Sequence, residues 1–218
     1  MLESFAARML LIRHGEPQST ALTEESTIIA DAENALTAFG RCQISVLARE
    51  CSTTLLPSQI AFSPLRRARE TADVFAAEFP DTLALCDARL EERRFRFPAT
   101  FTYADSRSHQ ILAFEHPDQN IVGGESVDEH RSRCVDWLGE RMKFWRAQAV
   151  PTTELVICHG GTIEHLLFTV LGMPTSKMFW VYCDLPCGGF HDLTCTLHKD
   201  AFVWRINGLC KTNMSALS

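Results

Sequence analysis

No apolar run in the chain approaches the ~18 residues of a membrane-spanning helix. The N-terminal stretch MLESFAARMLLI is interrupted by Glu3 and Arg8, which disfavours a signal peptide. The cytosol is therefore the expected compartment, with no membrane partner. Basic charge is not in excess either. The formal net charge of the 218 residues is -6, which argues against the broad cationic surface that nucleic acids and anionic membranes require. Any basic cluster must be local. A disulfide framework is also missing: the nine cysteines are odd in number and scattered, a pattern that suits buried reduced thiols. Cys183, Cys187, His191 and His198 come closest to a metal-ligand cluster. Their first pair is spaced C-x3-C around Pro186 and the rest follows strand alternation, so no metal is expected there. Internal repeats, low-complexity runs and linkers are lacking, and 46% hydrophobic content suffices for a full core. A single domain over residues 1–218 is expected.

What is present is an alternation of strands and helices. Met9–Arg13 is an apolar run that leads through a polar loop to Leu36. A helix follows, with Thr37 as N-cap and Ile44, Leu47 and Ala48 at helical spacing. Gln59–Phe62 reads as a second strand. Ser63-Pro64 reads as a cap and first-turn proline at the head of a helix reaching about Glu78. Leu83–Cys86 reads as a third strand. The SVDE pattern from Ser126 is a capping box that opens a long amphipathic helix through Cys134, Leu138, Met142 and Trp145. Glu154–Cys158 is nearly all apolar, as in a strand covered on both faces, and leads through His159-Gly160-Gly161 into a helix ending near Gly172. Gly189–Leu197 and Phe202–Ile206 alternate around Lys199-Asp200, which predicts a hairpin at a sheet edge.

Such units build a mostly parallel sheet between helical layers, with ligands held beyond the carboxyl ends of its strands. Those ends deliver Arg13, His14 and Gly15 from one strand and His159, Gly160 and Gly161 from another. A third leads into the helix that carries Arg66, Arg67 and Arg69. Arginine forks and helix N-termini both match phosphate oxygens. The ligand this pattern implies is a phosphoryl group.

LLIRHGEP (10–17), LTAFGRCQ (36–43), SPLRRARETA (63–72), LEER (90–93), GGES (123–126) and ICHGGTI (157–163) occur in the order and approximate spacing of the histidine phosphatase superfamily, the phosphoglycerate mutase-like proteins. The chain resembles that family over residues 9 to 195. The resemblance implies a three-layer α/β/α sandwich with a mostly parallel sheet and an antiparallel edge hairpin. It also implies a phosphohistidine intermediate, with no metal and no cofactor. On the matching positions, His14 resembles the nucleophile, and Arg13, Arg67 and His159 the phosphate-binding set, with Gly15 and Gly160 contributing close backbone approach. Arg67 is preferred to Arg66 because it directly precedes Ala68, as the family's binding arginine precedes alanine. Glu92 fits the L-x-E pattern of the proton donor and Glu91 reads as a surface neighbour. The stretch after Glu92, RRFRFP, lacks the glycine and second glutamate often found in the family.

Residues 93–124 form a cap-like insertion rich in arginine, histidine and aromatics, suited to an anionic substrate with a flat or apolar body. Three functions fit the resemblance: a phosphatase acting on a small-molecule phosphate ester, a phosphoglycerate mutase-type phosphotransferase, and a non-catalytic binder of phosphorylated ligands. The mutase reading is disfavoured, because PQST follows Glu16 where the glycolytic mutases carry tryptophan and asparagine, and Phe95 stands in place of a tyrosine. The silent reading is disfavoured because both histidines and both arginines are retained. Arg131 and Arg133 read as solvated helix decoration. The substrate and the oligomeric state are left open.

Overall fold

The structure, a computed structural model, describes residues 6–26, 33–98, 100–121, 123–175 and 183–213. β1 (Ala7–Arg13) is apolar on both faces because both are covered. Met9 and Leu11 enter one core, Leu10 and Ile12 the other. The same alternation governs β2 (Gln59–Phe62) and β4 (Thr152–Cys158). Ile60, Leu155 and Ile157 face the second core, Ala61, Val156 and Cys158 the first. A side-chain period of two, with apolar residues in both phases, produces the continuous hydrophobic run of a doubly covered strand.

β3 (Leu83–Cys86), β5 (Phe190–His198) and β6 (Ala201–Lys211) complete a six-stranded sheet of order β3-β2-β4-β1-β5-β6. β3, β2, β4 and β1 run parallel, and β5 is antiparallel to both β1 and β6. The β5–β6 turn falls at Lys199, whose φ of 54° closes the hairpin. On one face lie α1 (Ala38–Thr54) and α2 (Arg66–Glu78). On the other lie α4 (Val127–Ala147) and α5 (Gly160–Val170), packed through Trp137, Leu138, Ile163 and Leu167. This is the expected three-layer arrangement. Thr37 caps α1 by accepting from Gly40 N–H at 2.9 Å, and Ser126 and Glu129 form the capping box of α4.

Two elements depart from expectation. Ser63 does not cap α2, which begins at Arg66 with Leu65 as its N-cap. The Ser63 hydroxyl accepts from Leu65 N–H at 3.3 Å in a turn ahead of the helix and lies 2.8 Å from His159 Nε2. In addition, the 93–124 insertion holds a helix, α3 (Tyr103–Glu115), opened by a capping box between Thr102 and Asp105. The TYAD sequence carries that signal in the short form with aspartate.

Register positions the site. Arg13 pairs with Cys158 across β1 and β4, so His14 and His159 leave neighbouring strands side by side. Phe62 pairs with Ile157, which brings Ser63 to the same edge. Among the described residues, no helix is long and apolar enough to cross a membrane.

Ion pairs on buried carboxylates tie α4 to β4 and β1 to β5. Glu154, with no exposed surface, accepts from Arg141 Nε at 3.0 Å and Trp145 Nε1 at 2.7 Å, joining β4 to α4. Arg8 grips Asp192 with two bonds of 3.0 and 2.9 Å across β1 and β5. Removing one partner strands a buried charge, whereas an exposed pair is worth little. Arg141→Met is therefore expected to cost about 3–5 kcal/mol in urea unfolding. Glu140→Gln, which breaks the exposed pair with Arg89, should cost less than about 1 kcal/mol.

Candidate active site

At the carboxyl edge of the sheet the two histidine rings lie 5.1 Å apart between centroids, tilted by 57°. His14 is 4% exposed and His159 fully buried. His14 Nδ1 lies 2.8 Å from Gly15 O. A carbonyl only accepts, so Nδ1 carries the proton and Nε2 keeps its lone pair. Arg67 Nε donates to that Nε2 at 3.1 Å. Gly15 makes the approach feasible, since a Cβ there would lie 2.7 Å from both Gly40 O and Ile44 Cγ1. Its N–H donates to Thr71 Oγ1 at 3.1 Å, and that hydroxyl donates to Arg67 O at 2.8 Å, so one side chain on α2 braces both the His14 loop and the arginine.

Arg13 Nη1 donates to Leu185 O at 2.5 Å and its buried Nε has no partner among the described residues. His159 Nε2 is tied to Ser63, and its buried Nδ1 is also without a partner. Gly160 and Gly161 open α5 directly after His159, which places that helix's N-terminal amides beside the cluster. Orphaned cationic and imidazole nitrogens around a helix N-terminus make a site suited to an oxyanion.

Glu92 reaches this centre from the 3-10 turn Ala88–Leu90. Its Oε2 accepts from Gly161 N–H at 3.0 Å, and Oε1 accepts from Arg93 N–H at 3.0 Å. A Cβ on Gly161 would stand 2.5 Å from Oε1. Glu91 is engaged instead by Arg94 at 2.7 Å. All five sequence-selected side chains, Arg13, His14, Arg67, Glu92 and His159, are thus brought to one place, with Gly15 and Gly160 beside them. Cys183, Cys187, His191 and His198 form no metal-binding group among the described residues.

Arg133 corrects the expectation that it only decorates α4. It is mostly buried, and clamps Glu125 through Nε at 2.7 Å and Nη2 at 2.9 Å. The same guanidinium donates to the carbonyls of Arg89, Glu91 and Glu92 at 2.7, 2.8 and 3.0 Å. It fixes the backbone that carries Glu92. Thr162 adds a donor to Glu91 O at 2.7 Å. A glutamate in GGES that needs a buried partner two helical turns on is the only signal the sequence held for Arg133.

Arg13, His14, Arg67 and Glu92 open onto a cavity of about 930 Å³, lined also by Phe95, Phe97, Tyr103 and Phe114 from the insertion. Its size lies near the upper end of small-molecule pockets, far larger than a phosphate needs. His130, His165 and Glu164 also line it. Burial pushes the Glu164 carboxyl up to about 7, with the Glu92 charge adding to the rise.

Burial, then the Arg67 charge, holds His14 and His159 well below the ordinary imidazole value. Burial likewise lowers His130, His165 (to about 3) and His191 (to about 4). The unfolded chain binds protons at these positions below about pH 6.5 and the native state does not, so stability falls as pH drops through that value. Each histidine kept neutral costs ~1.4 kcal/mol per pH unit below 6.5. Thermal melts are expected to show a plateau above pH 7 and a steep, cooperative loss between about pH 6.5 and 5.

A family model described as histidine phosphatase superfamily (branch 1) matches residues 9–194. The chain is 29% identical over 177 residues to a 5''-phosphoribostamycin phosphatase of Niallia circulans, covering 78% of this chain and 81% of that protein. It is also 29% identical over 169 residues to phosphoglycerate mutase-like protein 4 of Arabidopsis thaliana, covering 73% and 69% of the two. A mycobacterial glucosyl-3-phosphoglycerate phosphatase solved with VO3 superposes with a TM-score of 0.75 at 20% identity, over 94% of this chain and 99% of that one. Strand order, the paired histidines and the match over most of the length agree: this chain belongs to branch 1 of the histidine phosphatase superfamily.

Proposed function

We propose that the chain is a metal-independent phosphomonoester hydrolase that works through a phosphohistidine on His14, with Glu92 as proton donor, on a small phosphorylated metabolite. The observation that carries this reading is the pair of bonds on His14. Gly15 O holds the proton on Nδ1, and the unprotonated Nε2 faces the Arg67 guanidinium. The atom that attacks phosphorus and the cation that meets its oxygens share one point in space. A buried, uncharged imidazole keeps its lone pair at neutral pH.

In the first step the Nε2 lone pair bonds to phosphorus in line as the ester P–O bond breaks, and the departing alkoxide takes the carboxyl proton of Glu92. Charge on the equatorial oxygens is met by Arg13, Arg67, His159 and the amides that open α5. In the second step the Glu92 carboxylate removes a proton from water, the water oxygen attacks phosphorus, and the P–N bond electrons return to Nε2. Phosphate leaves and the site is restored. The relatives' own names include phosphatases of 5''-phosphoribostamycin and glucosyl-3-phosphoglycerate, which supports a metabolite substrate over a macromolecular one.

His14→Ala should abolish turnover of every ester, since the bonding atom is gone. Glu92→Gln should slow hydrolysis of an alkyl phosphate by roughly 10²–10⁴. An activated aryl phosphate, whose phenolate leaves unaided, should still phosphorylate the variant and give a burst followed by slow release. Rates at the wild-type level without a burst would remove Glu92 from its role. Hydrolysis by the wild-type protein should also survive exhaustive EDTA treatment, and activity restored only by added metal would contradict the mechanism.

A further inference from the structure

A phosphoryl group accounts for the unpartnered nitrogens of Arg13 and His159. It does not account for two others in the same cavity. Arg93 is 4% exposed, yet its buried Nη1 has no hydrogen-bond partner among the described residues, and the same holds for Nδ1 of His165. Buried arginines are ordinarily paired, as the mostly buried Arg133 is, and several more exposed neighbours are paired too. Arg94 bonds Glu91, Arg107 bonds Glu24, Arg89 bonds Asp87, and Arg133 bonds Glu125. The carboxylates nearest Arg93 are already engaged, Glu125 by Arg133 and Glu92 by backbone amides.

Aromatic rings hold Arg93 in place. Its guanidinium carbon lies 4.7 Å from the Phe95 ring centroid and 5.4 Å from that of Phe114. Phe95 is fixed in turn by a bridge to Gly124 and by stacking on Phe97 at 4.9 Å. The cation is therefore pre-set rather than waving in solvent. Ring contacts of this kind offset part of its desolvation, but they satisfy none of its N–H groups.

We propose that Arg93 is a specificity residue that binds a carboxylate carried by the leaving-group part of the substrate, with the unpartnered Nδ1 of His165 beside it and Phe95 and Phe114 as apolar walls. Position assigns this group to the leaving part. Arg93 directly follows Glu92, the residue proposed to protonate the leaving oxygen, so whatever Arg93 holds lies on the alcohol side of the scissile bond. An unpartnered guanidinium N–H suits a carboxylate oxygen, which it would meet in a charge-assisted hydrogen bond. This inference rests on the reading of the site as a phosphate-ester pocket, and it narrows the substrates to esters that carry a second anion beyond the phosphate.

Binding of non-hydrolysable phosphonates tests the assignment without requiring turnover. Calorimetry on the full chain would compare matched pairs: phosphonoacetate with methylphosphonate, 3-phosphonopropionate with propylphosphonate, and 4-carboxybenzylphosphonate with benzylphosphonate. The wild-type protein is expected to prefer the carboxylated member of at least one pair by about 10- to 100-fold, the scale of a charge-assisted hydrogen bond. Arg93→Gln should bring that ratio to near one, and Arg93→Lys should keep part of it, because charge survives while the fork is lost. A purely structural role would weaken both members of each pair alike and leave the ratio unchanged, which overturns the proposal. So would the absence of any preference in the wild-type protein. An Arg93-dependent preference in a protein that hydrolyses no ester would leave this position standing and remove the phosphatase reading instead.

Discussion

The two-sided grip on the His14 imidazole is the constraint on which the rest of the structure depends. One nitrogen must keep its proton, and the other must stay bare and face positive charge. Gly15 O provides the first condition and Arg67 the second. Both require that the strand end of β1 and the first turn of α2 meet at hydrogen-bond distance. That meeting is set by the sheet order, which places β1 beside β4 and β4 beside β2, and by a glycine where the loop touches α1. A side chain at residue 15 would push the loop off Gly40 and Ile44 and move the ring.

The cost of this arrangement is visible in the same cluster. Imidazoles and guanidiniums packed together without counter-charge destabilise the protonated rings, so the site is built from neutral histidines held beside fixed arginines. The carboxylates nearby are kept from collapsing onto those arginines. Glu92 is drawn to the N-terminal amides of α5, and Arg133 gathers three carbonyls of its loop along with Glu125. Glu92 and His14 thus face one cavity while Glu92 is held by backbone amides rather than by a salt bridge to the site's arginines.

The sequence made the strand ends readable because β1 and β4 are continuous apolar runs that stop at RH and H, and parallel α/β sheets gather such ends. His14, His159 and Arg67 were accessible for that reason. Ser63 was misread as a cap because serine before proline signals a helix start whatever else its hydroxyl does. Here His159 recruits it through a pairing between β2 and β4 that no local pattern encodes. Arg133 was misread for the same reason, since its partners lie on residues 89–92, about two elements earlier in the chain. Which cap arginine turns inward was beyond any local rule. Arg93, Arg94 and Arg107 are alike in composition, and only the packing of Phe95 and Phe114 separates the buried one from those that pair at the surface.

The central claim is that phosphorus is attacked twice, first by His14 Nε2 and then by water. The stereochemical course at phosphorus reads this directly. Transfer of the phosphoryl group from an alkyl phosphate made chiral with oxygen isotopes to an acceptor alcohol that takes the place of water, followed by analysis of the configuration of the product ester, counts the in-line displacements. Two displacements through a phosphohistidine predict net retention. Net inversion would mean that an acceptor attacks the ester directly, and would contradict the account even if His14 proved essential.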